Sequence, residues 1–202
     1  MAVPVRHGDR SPAMKESLTV IKQEHRNLYR VVNVLDQMLR HQKAGAPADF
    51  AFMEAVLSYI ENFTDQYHHP KEDQYLFKAL LRRQPEASAI IEELEEEHRN
   101  CPASLAQLKV LLAAYKTDPT HRDAFQEATA AYLKFQTKHL QKEEGVVIPM
   151  AQRALTDEDW AEIDAAFANN DDPIFGPKGR EETRSMYSRI VNEAPAPFGF
   201  GD

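Results

Sequence analysis

Apolar residues recur in steps of three and four along four long stretches of the chain, the period of an amphipathic helix. In the first stretch, over about residues 15 to 43, Ile21, Leu28, Val32, Leu35 and Leu39 form one stripe and His25 fills its gap. A turn at Gly45-Ala46-Pro47-Ala48 leads to Asp49, a good N-cap residue, and to a second helix from about Phe50 to Arg82 that Pro70 is expected to bend. Pro85 opens a third, reaching about Lys116, in which Ile91, Leu94, Cys101, Leu105, Leu108, Leu112 and Tyr115 make a heptad-type seam with His98 inside it. After Thr117-Asp118-Pro119 a fourth begins, with Phe125, Tyr132, His139, Glu143, Val146 and Met150 on one face. Four long helices with short connections predict an all-α fold, an up-down-up-down antiparallel four-helix bundle over residues 15–155. Residues 1–14 read as a leader without periodicity. Residues 156–202 read as a short C-terminal helical appendage: a fifth helix from Thr156 to Phe167, capped by Thr156 with Asp159 and anchored by Trp160, then an extension with a further helical stretch over 180–191.

The residues that interrupt the apolar stripes carry the chemistry, and they occur in duplicate. Glu24-His25-Arg26-Asn27 is followed some forty residues on by His68, Lys71, Glu72 and Asp73; Glu97-His98-Arg99-Asn100 is followed at a similar distance by His139, Lys142, Glu143 and Glu144. A histidine and a glutamate four apart on a helix point the same way, so each copy can turn a nitrogen and a carboxylate oxygen toward one ion. Counted from the helix ends at 1.5 Å per residue, His25, His68, Glu72, His98, His139 and Glu143 all fall roughly 15 to 20 Å from the same end of the predicted bundle. His69 and Asp73 share the spacing of His68 and Glu72. Their stripe runs through Ser58, Asn62 and Asp65, a solvated face, whereas that of His68 runs through Leu57, Glu61, Thr64, Leu76 and Ala79. The pattern therefore selects His68 and Glu72 and leaves His69 as a reserve ligand or a supporting donor. Four imidazoles and two carboxylates buried in one layer without compensation would cost several kcal/mol per charge, which makes a metal the natural partner. Bridging carboxylates suit two ions about 3.5 Å apart. Nitrogen and oxygen ligation without thiolate suits iron best, with manganese or zinc as alternatives.

Composition narrows the field. With 202 residues and 43% hydrophobic content the chain can bury a full core. A net charge of -8 argues against nucleic acid and anionic membrane surfaces. No apolar run is long enough to span a bilayer, and the N-terminus lacks a secretory pattern. The single cysteine, Cys101, reads as core packing, so a cytoplasmic protein is expected. Tyr29, Tyr67, Tyr75, Tyr115 and Tyr132 read mostly as core; His7, His41 and His121 read as surface. The acidic run from Glu92 to Glu97 reads as a solvated face, one glutamate apart that can support a ligand.

With Gln-Glu-His-Arg-Asn-Leu, His-His-Pro-Lys-Glu-Asp-Gln-Tyr-Leu-Phe, Glu-Glu-His-Arg and His-Leu-Gln-Lys-Glu-Glu-Gly-Val-Val-Ile-Pro in that order, the chain resembles the hemerythrin-like family of HHE cation-binding domains over about residues 15 to 155. The resemblance implies two non-haem iron ions joined by an oxo or hydroxo bridge, with Glu72 and Glu143 bridging and His25, His68, His98 and His139 as terminal ligands. The oxygen carriers of that family have a second histidine four residues from the first on the third helix. Here Leu94 and Pro102 occupy those positions, which leaves room at one iron for another ligand. The expected function is binding of dioxygen or a related small oxidant. The alternatives are an enzyme that turns over peroxide or nitric oxide, and an iron- or oxygen-sensing module whose extension meets a partner.

Overall fold

The structure, a computed structural model, describes residues 15–41 and 47–168. The predicted leader with His7, the turn residues Gly45 and Ala46, and the stretch 180–191 lie outside the described residues. Every regular element among those described is helical, and they make five helices. The first is Glu16–His41. The second runs continuously over 50–83, opened by Asp49, whose carboxylate accepts from the Phe52 N–H at 2.9 Å. The third is Ser88–Thr117, entered through a single 3₁₀ turn, Pro85–Ala87. The fourth covers 122–154 and the fifth is Asp157–Ala168.

These helices form a bundle in which the first packs on the second and fourth, and the third packs on the same two. Two apolar clusters fill it. One gathers Leu28, Val32, Leu35, Phe63, Leu105 and Phe125, among others; the second gathers Leu18, Ile21, Phe77, Leu94, Val147 and Trp160. Between them in sequence order along each helix lie the buried polar residues His25, His68, Glu72, His98, His139 and Glu143. The seam expected on the third helix is buried at each of its eight positions, His98 included.

The second and fourth helices are not uniformly α. The turns Ile60–His68, Glu72–Phe77 and Glu143–Val147 are π-helical. A π turn takes one more residue than an α turn, so positions beyond it move round the helix. Pro70 and Pro149 follow two of these turns by two residues, and a widened turn is one way to accommodate a residue that lacks an N–H and crowds the carbonyl four before it. Two expectations fail for this reason. On the fourth helix Val147 and Ala151 are buried, whereas Val146 is exposed and Met150 only half-buried. On the second, His69 is buried beside His68 and not on a solvated face.

Tyr115 and Tyr132 are core residues as expected, but Tyr29, Tyr67 and Tyr75 are exposed. The fifth helix buries Trp160, Ile163 and Phe167 in the second cluster. Thr156 and Asp159 cap it reciprocally: the Asp159 carboxylate accepts from the Thr156 N–H at 3.0 Å, and from Arg83 Nε at 2.7 Å. Asp164 ties it to the start of the first helix by accepting from the Ser17 N–H at 2.9 Å.

Candidate metal centre

Each inward histidine occupies a core position of its helix, and the ring is aimed by a carboxylate from elsewhere. His25 Nδ1 lies 3.0 Å from Glu144 Oε1, and His68 Nδ1 lies 2.7 Å from Glu24 Oε2. His98 Nδ1 lies 2.7 Å from Asp73 Oδ1, and His139 Nδ1 lies 2.9 Å from Glu97 Oε2. Lys142 pairs in turn with Glu97 and, at 2.8 Å, with Glu93. With Nδ1 occupied in all four rings, Nε2 is the atom left to face the centre.

There the Nε2 atoms meet two glutamates. Glu72 Oε1 is 3.4 Å from His25 Nε2, and its Oε2 is 3.3 Å from His68 Nε2 and 3.9 Å from His98 Nε2. Glu143 Oε2 is 3.3 Å from His25 Nε2, while its Oε1 is 3.2 Å from His139 Nε2 and 3.5 Å from His98 Nε2. Each carboxylate thus reaches histidines of both sequence copies. All six sequence-predicted residues are brought together, every one of them buried.

The electrostatics are those of a site short of positive charge. Burial alone would lower the His25 imidazole, but Glu144, Glu72 and Glu143 raise it to about 10. Against the same burial penalty, Asp73, Glu143 and Glu72 raise His98 to about 10, and Glu143 with Glu97 raises His139. Burial opposes ionisation of Glu143, yet His139, His98 and His25 hold it well below the usual carboxylate range. Protons on the rings therefore stand where a metal would otherwise supply the positive charge. The fit to a cation can be read from hydrogen bonding as well. His25 Nε2, His68 Nε2 and both oxygens of Glu72 and Glu143 are buried without a hydrogen-bond partner, an arrangement that a protein core does not sustain without compensation. Ligand atoms of His25, His68, Glu72 and Glu143 lie within 4.8 Å of one another, and so do those of His69, His98 and His139.

The four supporting carboxylates were not individually identifiable from helical periodicity. Adjacent residues on a helix point about 100° apart, so Glu24 cannot serve its neighbour His25 and has to reach another helix. The signal was nonetheless present as the recurring pairs Glu24-His25, Glu97-His98, Glu72-Asp73 and Glu143-Glu144. Glu97 closes the run read as a solvated face, and is the supporting glutamate that run was expected to contain.

The chain is similar to uncharacterized proteins of Mycobacterium bovis and of two strains of Mycobacterium tuberculosis, each 23% identical over 175 residues that cover 85% of this chain and 68% of the relative. No solved structure matches it. The family model described as the hemerythrin HHE cation-binding domain matches residues 17–151, which takes in all six inward residues and their four carboxylates. The chain belongs to the hemerythrin HHE cation-binding family.

Proposed function

We propose that the chain is a non-haem di-iron protein, built as an up-down-up-down four-helix bundle, that binds dioxygen or a related small oxidant. One observation carries the reading: two buried glutamates, each facing histidines of both copies, have all four oxygens unpartnered. His25 and His68 would hold one ion and His98 and His139 the other, with Glu72 and Glu143 shared between them. Nitrogen and oxygen donors without thiolate favour iron. Two ferrous ions, when bound, supply a pair of electrons to a small oxidant. Six carboxylates, Glu24, Glu72, Asp73, Glu97, Glu143 and Glu144, surround the centre with negative charge that bound cations would offset.

The residues around the centre limit what can reach it. The apolar clusters on either side exclude water. A surface depression lined by His25, Tyr29, Arg30, Thr137, Glu144 and Gly145, among others, reaches one of these histidines and its carboxylate. Elemental analysis of protein purified without added metal tests the reading. About two irons per chain are expected, together with loss of metal in His68→Ala and Glu143→Ala. Zinc, an empty chain, or full retention of metal by both variants refutes it. Peroxide consumption separates binding from turnover: one reaction per di-iron unit indicates a binder, and sustained loss proportional to iron content an enzyme.

A further inference from the structure

His69 is the fifth imidazole in this core. It is buried at 3% exposure, and neither ring nitrogen has a hydrogen-bond partner. A buried imidazole left so costs about 1–3 kcal/mol unless something satisfies it. Its ring lies parallel to that of His98, 3.9 Å between centroids at 11°, and 5.5 Å from that of His139, so one of the two stacked rings has to tilt before both can aim an in-plane nitrogen at one ion. Nitrogens of the three rings fall within 4.8 Å of one another.

The carboxylate behind it follows the pattern of the other four. His69 Nδ1 is 3.7 Å from Asp65 Oδ1, one turn earlier on the same helix, and that oxygen is itself buried without a hydrogen-bond partner. The other pairs lie at 2.7 to 3.0 Å. At 3.7 Å the Asp65 contact is not yet a hydrogen bond, but under 1 Å of movement would make it one. The feature belongs to one sequence copy alone: the residue after His139, where His69 follows His68, is Leu140.

We propose that His69 is a fifth nitrogen ligand of the centre, on the side of His98 and His139, with Asp65 as the carboxylate that orients it. The proposal rests on the two-ion reading above and adds to it that the two metal positions differ, one with two imidazoles and the other with three. The third helix carries Leu94 and Pro102 four residues either side of His98, and the second helix supplies the further nitrogen. The π turn Ile60–His68 ends at this pair of consecutive buried histidines.

The test uses the full chain loaded with cobalt(II). Proton NMR of paramagnetically shifted imidazole N–H signals counts the coordinated rings directly. Five signals are expected in the wild type and four in His69→Phe. Chelator competition should show the weaker-held ion of His69→Phe released at least about tenfold more readily than in the wild type, the other ion unchanged, and Asp65→Asn intermediate. Four signals in the wild type, or equal release of both ions by wild type and His69→Phe, overturns the role of His69 while leaving the two-ion reading intact. A wild type that takes up no cobalt overturns both. A third equivalent of cobalt that disappears in Cys101→Ser also overturns the proposal, by placing His69 with Asp65 and Cys101 in a separate site. If His69→Phe does not fold, the wild-type signal count decides the question alone.

Discussion

Replacing Glu24 by glutamine keeps the shape of the side chain and removes its charge. The Glu24 carboxylate sits 2.7 Å from His68 Nδ1, with side-chain exposures of 3% and 2%. A carboxylate behind a metal-bound imidazole fixes the tautomer and makes the ring a stronger donor, and losing such a partner costs about 10–100-fold in metal affinity. Converted at room temperature, that is roughly 1.4–2.7 kcal/mol. Glu144 plays the same part for His25, at 3.0 Å, but its side chain is 41% exposed and water screens it. Glu144→Gln should therefore fall at or below the lower end of that range, and Glu24→Gln near the upper end. Competition with a chromophoric chelator, followed by elemental analysis of the protein fraction, measures both variants on one scale. Glu24→Gln with wild-type affinity, or Glu144→Gln as damaging as Glu24→Gln, would show that the carboxylates do not act through the rings they touch.

Three further outcomes are expected. Asp159→Ala removes one half of the capping box of the fifth helix and the partner of Arg83, and should cost about 1 kcal/mol of stability in urea titration. Because Arg83 and the Thr156 N–H hold the folded Asp159 carboxyl below its ordinary range, its contribution is complete above about pH 4 and fades as acid protonates it, so Asp159→Ala should lose less stability than the wild type between pH 4 and 2. Gly145 lies mid-helix with nothing within 4 Å of an added Cβ, so Gly145→Ala should raise the melting temperature, by a gain of up to about 1 kcal/mol; a fall in melting temperature would contradict the open space. Burial pushes the Cys101 thiol up to about 12, so a disulfide reagent such as DTNB should label it only after unfolding; rapid labelling of the native chain would refute the burial.

How far the sequence reached depended on whether a helix kept its α period. On the third helix the heptad seam from Ile91 to Tyr115 is buried throughout, and His98 lies where the seam places it. The six inward residues were legible for the same reason: their spacings of four lie within a turn or are measured from well-marked ends. Where π turns intervene, the reading fails by one position. Val147 replaces Val146 inside the fourth helix, and His69 joins His68 inside the second. Periodicity alone gives no warning of this, although Pro70 and Pro149 mark where two of the wider turns end. Tyr29, Tyr67 and Tyr75 were misread for another reason: a phenol ring is apolar enough to extend a stripe yet can keep its hydroxyl in water at the bundle surface.

The exchange of carboxylates between the two sequence copies makes each copy dependent on the other. Glu24 and Glu97 each support a histidine of their own copy, but Asp73 supports His98 of the other copy and Glu144 supports His25. A single two-helix unit carrying this pattern would therefore leave one of its two histidines without support and its glutamate facing half a centre. It becomes complete only beside a second unit, so both halves of the bundle have to be in place before either histidine pair is fully supported. The halves are not equivalent for all that, since His69 in one stands against Leu140 in the other.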